Sequence, residues 1–244
     1  MAKPNYFIGT SGWNYETFIG TIYDKKTPKR RYLETYATYF NSVELNASFY
    51  RSFAEKTWQG WYERTPSGFV WSVKAPRLIT HIRRLEVEKD SVDMFFDRAF
   101  VLREKLGAVL FQLPPSLKYD GKVFDGFVST IPQGVRVAFE ARNETWFVED
   151  VFKKLQDRNI AWVVSDTCGR YPMKKIVTAD FAYVRLHGTM GLYRGPYGRD
   201  GLIPWVQLLR SWKRDCFVYF DNTDDGSAAS DALIFKELIK NEIH

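Results

Sequence analysis

Eight short apolar runs, many of them β-branched, are spread through 244 residues, with helical patterns between them. The runs are Tyr6–Ile8, Ser42–Ser48, Phe69–Pro76, Ala108–Leu113, Val135–Ala141, Ala161–Asp166, Ala182–Gly188 and Cys216–Phe220. Helical patterns cover Lys29–Phe40, Glu55–Glu63, Ser91–Lys105, Val148–Arg158 and Ser227–Lys240. Tyr32, Leu33, Tyr36 and Phe40 share one side of the first, and Asp90 or Ser91 is placed to cap the third. Strands separated by helices are joined by right-handed crossovers, which makes the sheet parallel. Eight such units in this length predict an α/β fold, a (β/α)8 TIM-like barrel, as a single domain over residues 1–244. No G-x-G-x-x-G follows the first run, which argues against an open dinucleotide-binding sheet.

The seventh run, AYVRLHG, sets a problem. Arg185 and His187 are two residues apart and so share one side of an extended chain. A charged arginine in a core strand is costly unless it is paired. In a barrel of this kind the reactive end is the one at the strand C-termini, and polar residues gather there. Strand two ends in Glu44, Asn46 and Ser48, on alternate positions, followed by Phe49 and Tyr50. Strand three brings Lys74, with His81 beyond a proline-bounded turn. Strand four brings Gln112, strand five Glu140 and Arg142, strand six Asp166. Strand eight ends in Asp221 and Asn222. Arg185 and His187 are expected to point into this mouth and to face carboxylates such as Glu140 and Asp166. The aromatics Trp13, Tyr50, Trp146, Tyr193 and Tyr197 are expected around its rim, where rings can stack on a base or a sugar. The Gly-rich stretch Gly191–Gly201 reads as a long loop, with Tyr193, Arg194, Tyr197 and Arg199 forming a lid over an anionic ligand.

Composition narrows the class. Two cysteines, Cys168 and Cys216, build no disulfide framework and no CxxC metal site. The opening MAKPNYFIGTSGW lacks the apolar core of a signal peptide, and no run is long enough for a membrane helix. A soluble cytoplasmic protein with no membrane partner is expected. The formal net charge of +6 mildly favours anionic partners, and the basic run Lys25, Lys26, Lys29, Arg30 and Arg31 is either a nucleic-acid contact or a solvated helix start. Gly9–Gly12 is not a P-loop, since no Gly-Lys-Ser/Thr ending follows.

The motifs GTSGWNYETF, YATYFNSVELNASFYR, FVWSVKAPRLITH, LFQLPPS, FEARNETW, VRLHG and YFDNTDDGSAASDA stand in this order along nearly the whole chain. Together they resemble the YecE-like proteins, the domain of unknown function 72 family. The resemblance implies a TIM-like barrel and no settled reaction. The chain departs from the family pattern at three places: Asp221 and Asp231 stand where an asparagine is usual, and Asn143 where a histidine is usual.

The residues themselves point to an enzyme acting on a small anionic substrate that bears phosphate or carboxylate, of hydrolase or lyase type. Arg185, Arg142 and Lys74 are the expected anion clamp. Glu44, Asn46, Gln112, Trp13, Tyr50, Trp146, Tyr193 and Asn222 are the expected remaining contacts. His187 is the expected acid/base, tuned by Glu140 or Asp166. The sequence requires no cofactor. Glu140, Asp166 and His187 are also a chemically sufficient set for a divalent metal ion, although several cations in the same mouth oppose one. A depressed pKa would make Lys74 a Schiff-base amine. A nucleic-acid-binding or metal-dependent nucleic-acid-processing protein and a non-catalytic ligand sensor are the competing classes. The sequence does not give the oligomeric state.

Overall fold

The computed structural model describes residues 3–241. Residues 1–2 and 242–244, the two ends of the expected 1–244 domain, lie outside the described residues. Eight strands follow one another: β1 Tyr6–Thr10, β2 Ser42–Leu45, β3 Val70–Lys74, β4 Leu106–Gln112, β5 Val137–Glu140, β6 Ile160–Asp166, β7 Phe181–Leu186 and β8 Asp215–Phe220. Every ladder is parallel, and the sheet runs β2, β3, β4, β5, β6, β7, β8, β1. The α-helices are α1 Tyr32–Tyr39, α2 Ala47–Tyr50, α3 Glu55–Glu63, α4 Lys89–Ala99, α5 Gly121–Ser129, α6 Glu149–Asp157, α7 Gly198–Trp212 and α8 Ser227–Lys240. The result is a nearly closed TIM-like barrel.

Between β1 and β2 the closure is made by side chains. The strands share one isolated bridge, Ser11 to Glu44. Elsewhere Asn41 stands in for a strand: Ile8 N–H donates to its Oδ1 (2.9 Å) and its Nδ2 donates to Tyr6 C=O (2.8 Å). The Tyr36 hydroxyl, from α1, accepts from Thr10 N–H (2.7 Å) and donates to Ser42 C=O (3.1 Å). Gly9 makes room for this insertion, because a Cβ there would lie 1.9 Å from Ser42 O and 2.7 Å from the Tyr36 hydroxyl.

Two apolar cores result. One fills the shell between strands and helices, and the other fills the barrel itself. Alternation along each strand decides which side chains enter the barrel. At the bottom it is apolar, with Phe217 stacked on Phe7 at 4.7 Å. Above lies a hydroxyl layer in which Tyr219 contacts Ser42 Oγ (2.6 Å) and donates to Ser72 Oγ (2.8 Å). Fully buried charge appears at the top, where the C-termini of the strands end, while at the bottom the half-exposed Arg136 covers Phe181 and Phe217 and pairs with Asp215.

Four expectations change. Strand two stops at Leu45; Asn46 has φ −88° and ψ −19°, and a single helical turn begins at Ala47. Ser48 therefore leaves the mouth-facing row, and its hydroxyl bonds Leu45 C=O and Lys74 C=O. The expected cap of α4 is absent: Glu88 precedes the helix and no side chain bonds its first amides. Two helices missing from the sequence reading are present, α5, capped by Asp120 on Lys122 N–H and Val123 N–H, and α7, which starts inside the expected loop. No helix joins β6 to β7 among the described residues.

Candidate functional site at the barrel mouth

Arg185 occupies the axis of the barrel's top layer and is 1% exposed. Its register partner on β6 is Ser165, and Asp166 is opposite Leu186. Because sides alternate, Ser165 faces inward with Arg185 and Asp166 faces away. Arg185 Nε donates to Glu44 Oε2 (3.0 Å) and Nη2 to Glu44 Oε1 (2.8 Å), a bidentate pair. Nη2 also donates to Asp221 Oδ2 (2.8 Å), and Nη1 to Glu140 Oε2 (2.9 Å) and to His187 Nε2 (3.2 Å). A guanidinium has five N–H groups, and all five are used. Burial weakens its charged form, but Glu44, Glu140 and Asp221 more than compensate and hold its pKa well above the usual arginine value. Arg185 therefore has no donor left for a ligand, which corrects its expected place in the anion clamp.

The carboxylates are equally committed. Glu44 accepts from Ser11 Oγ (2.8 Å) and from the Tyr183 hydroxyl (2.7 Å) as well as from Arg185. Glu140 spans Arg185 and Arg142, accepting from Arg142 Nε at 2.8 Å. Burial alone would raise the Glu140 pKa, but Arg142, Arg185, His187 and Lys74 hold it well below the carboxylate range. Asp221 is likewise lowered, its burial outweighed by Arg185 and His187. Glu44 and Asp221 thus take the place expected of Asp166. The Asp166 carboxylate instead accepts from Cys168 N–H (3.1 Å) and the Tyr197 hydroxyl (3.0 Å) in the loop beyond.

His187 is buried, with its ring 5.7 Å from that of Tyr193. Its Nδ1 lies 3.0 Å from the Asp166 carbonyl oxygen, which can only accept, so these partners assign the proton to Nδ1. Nε2 then accepts from Arg185 and lies 3.2 Å from Asp221 Oδ2. Among the described residues no three His, Cys, Asp or Glu side chains are placed to hold a metal ion. The set Glu140, Asp166 and His187 is not brought together, because Asp166 turns out of the mouth.

Two cations remain less occupied. Arg142 bonds Glu140 through Nε, and its guanidinium carbon lies 4.9 Å over the Tyr171 ring. Lys74 keeps partial contact with solvent, and its Nζ sits 4.4 Å over the Phe49 ring with no hydrogen bond or ion pair among the described residues. Burial first, then Arg185, pushes its pKa down to about 8, against the pull of Glu140, Glu44 and Asp221. His81, edge-on to Phe49 at 4.8 Å, is pushed down to about 4 by burial and then by Lys74, Arg142, Arg77 and Arg84. Below this rim the top layer is balanced, with Arg185, Arg142 and Lys74 against Glu44, Glu140 and Asp221. The mouth is therefore less cationic than the sequence suggests, and its positive face is the edge carrying Lys74 and Arg142, with His81 neutral beside them.

Other expected contacts are placed as follows. The carbonyl end of β2 carries Asn46, whose buried Oδ1 has no hydrogen-bond partner. Gln112 is buried and donates to Leu113 C=O. Asn222 ties Gly195 C=O (3.0 Å) to Asp231 (2.8 Å), so it secures the loop instead of facing a ligand. Tyr50 is 73% exposed. Trp13 packs edge-on against Trp71 (5.4 Å) in the outer shell, and Trp146 is buried against Phe139 and Phe124. Neither tryptophan lines the mouth. Tyr193 does cover it, but the expected lid is pinned: Tyr193 N–H donates to His187 C=O, Gly195 N–H to Asp225, and Tyr197 and Gly198 N–H to Asp231. Tyr183 was absent from the sequence reading, and alternation with Arg185 is the signal that locates it. In the basic run, Lys29 pairs with Glu16 at 2.6 Å on the surface. A cavity of about 400 Å³ opens at the other end of the barrel, against Phe7, Val70, Phe100 and Arg136, the end that stabilises such folds.

The barrel fold agrees with what comparison finds. The family model described as "Protein of unknown function DUF72" matches residues 7–244, and the chain belongs to that family. It is 27% identical to the UPF0759 protein YunF of Bacillus subtilis over 97% of this chain and 95% of that protein. The UPF0759 protein YecE of Escherichia coli K12 is 23% identical over 82% of each. The crystal structure of a DUF72 family protein from Thermotoga maritima superposes with a TM-score of 0.87 at 27% identity, covering 97% of this chain and all of that one. No described helix is long and apolar enough to cross a membrane.

Proposed function

We propose that the barrel mouth is the site of an enzyme that takes a small organic anion, gripped by Arg142 and Lys74. The observation that carries this reading is the contrast inside one layer. Among the described residues Arg185 has every donor consumed, while Lys74 has no hydrogen-bond or ion-pair partner and Arg142 pairs with Glu140 through Nε, with the Tyr193 hydroxyl beside it. An unpaired cation in a half-buried position is costly, and a carboxylate or phosphate relieves that cost with charge-assisted bonds. The His81 pKa is lowered by burial first, and then by Lys74, Arg142, Arg77 and Arg84. The orphaned Asn46 Oδ1 adds an acceptor for a hydroxyl on the ligand.

In this reading Glu140 and Arg185 are positioning residues that hold Arg142 and the floor of the site. His187 is the proton-holding group. Being buried, it keeps that proton on Nδ1 against the Asp166 carbonyl oxygen at 3.0 Å and does not touch the ligand.

Titration with phosphate, acetate and propionate, followed by heteronuclear NMR, tests the reading. Saturable shifts at residues 74–82 and 140–143 are expected, with at least a tenfold weaker affinity in Arg142→Ala. Absence of any saturable shift, or equal affinity in Arg142→Ala, overturns it. Tight, salt-sensitive binding of an oligonucleotide with no response to small anions would overturn it in favour of nucleic acid.

A further inference from the structure

The chain buries two lysines in different ways. Lys105 is 6% exposed, and its ammonium is fully engaged, donating to Tyr62 C=O and Thr65 C=O, both at 2.6 Å, and to Thr65 Oγ1 at 3.3 Å. That is how a structural lysine is held. Lys74 has nothing comparable. Its backbone is fixed at the top of β3, where Ser48 Oγ bonds its carbonyl at 2.6 Å. Its amine lies on the face of Phe49, within reach of the field of Arg185 and in the same mouth as Arg142 and a neutral His81. Burial and the Arg185 guanidinium disfavour the ammonium form, against the attraction of the Phe49 ring face and of the carboxylates. An amine so placed, with no hydrogen-bond partner among the described residues, has the environment that makes a lysine a nucleophile.

We infer that Lys74 is the covalent residue of this mouth, attacking the carbonyl carbon of a small ligand that also carries an acidic group. The inference rests on the anion-binding reading above and adds the class of ligand, a 2-oxo acid or an aldehyde with a nearby phosphate or carboxylate. Arg142 takes the acidic group and Lys74 meets the carbonyl. The free amine forms the N–C bond and the carbonyl oxygen takes up the proton that the nitrogen loses, giving a carbinolamine. The remaining N–H proton leaves with that hydroxyl as water, and the C=N bond closes. Amine plus carbonyl gives imine plus water, and no oxidant or other co-reactant is needed. The imine, once protonated, draws electrons from the adjacent carbon, the chemistry on which lyase-type cleavage depends.

The neutral fraction explains the expected selectivity. With a pKa of about 8, about a tenth of Lys74 is unprotonated at neutral pH, against roughly 0.03% for an ordinary lysine. Lower intrinsic nucleophilicity offsets part of that gap, so an advantage of about tenfold or more in rate is expected.

The full chain is incubated with pyruvate and cyanoborohydride, and the adducts are mapped by peptide mass spectrometry. Expected is labelling at Lys74 at least ten times faster than at any other lysine, with a rate rising through an inflection near about pH 8. Propionate, which has the acid but no ketone, slows it. Lys74→Arg, which keeps the charge and is checked for folding by circular dichroism, loses that label and leaves the others unchanged. If propionate and pyruvate both bind by NMR but labelling is spread evenly over the surface lysines, the covalent role is overturned and the anion site stands. If neither binds, both readings fall.

Discussion

Replacing Arg185 with methionine tests whether the top of the barrel is held together by one guanidinium. The substitution keeps much of the apolar stem and deletes all five donors. It leaves Glu44, Glu140 and Asp221 buried with only Arg142 and Lys74 as counter-charges. Removing one partner of a buried ion network typically costs about 3–5 kcal/mol, because the remaining charges lose their compensation. In a chain of this size each kcal/mol lowers the melting temperature by roughly 2–4 °C, so a fall of about 6–20 °C is expected. Urea unfolding followed by tryptophan fluorescence and far-ultraviolet circular dichroism measures the loss directly. The double variant Arg185→Met/Glu140→Gln should lose less than the sum of the singles, with a coupling of about 0.5–3 kcal/mol. Acid gives a second readout. Glu140 and Asp221 are held below their unfolded values, so below about pH 5 the unfolded chain binds more protons and stability falls as pH drops. That dependence should flatten in Arg185→Met. A loss under about 1 kcal/mol, or strict additivity in the double variant, would refute the view of Arg185 as a structural hub and return it to the ligand.

Two further outcomes follow from local geometry. Gly9→Ala places a methyl group 1.9 Å from Ser42 O, so β1 and β2 must separate; the variant should be insoluble or melt far below the parent, and a folded protein with an unchanged melting temperature would show the seam is looser than described. Asp231→Asn leaves one acceptor oxygen where two now serve the amides of Tyr197 and Gly198 and the Asn222 side chain, and turns an NH2 group toward a donor, which should cost about 1–3 kcal/mol by urea unfolding; a stabilised variant would contradict this.

The alternation of strands and helices made the barrel legible, since its eight periodic runs survive any error at their ends. Helix α7 was hidden by Gly198, Gly201 and Pro204, which read as punctuation. Leu202, Trp205, Val206 and Leu209 nevertheless recur at helical spacing and are the residues it buries, so periodicity outweighed local breakers. In the site, Arg185, Glu140 and Arg142 were legible because a buried charge requires a partner. Asp166 was misplaced because strand parity was not carried across from Arg185 to Ser165. Trp13 and Trp146 follow polar stretches and look like rim residues, but the outer shell needs large apolar side chains to seal the loops over it. Asp221, Asp231 and Asn143, the departures from the family pattern, each have partners here: Arg185 for the first, the start of α7 for the second, and Thr145 N–H with Pro115 C=O for the third.

The side-chain seam between β1 and β2 has a bearing on how the chain assembles. A backbone ladder can zip one residue at a time, but the Tyr36 hydroxyl and the Asn41 amide reach Thr10, Ile8 and Tyr6 only when α1 has docked and turned the chain into β2. Ring closure is thus coupled to the seating of one helix. The same seam brings Ser11 to Glu44, so the latch that shuts the barrel also supplies one of the bonds that orients the carboxylate beneath the mouth.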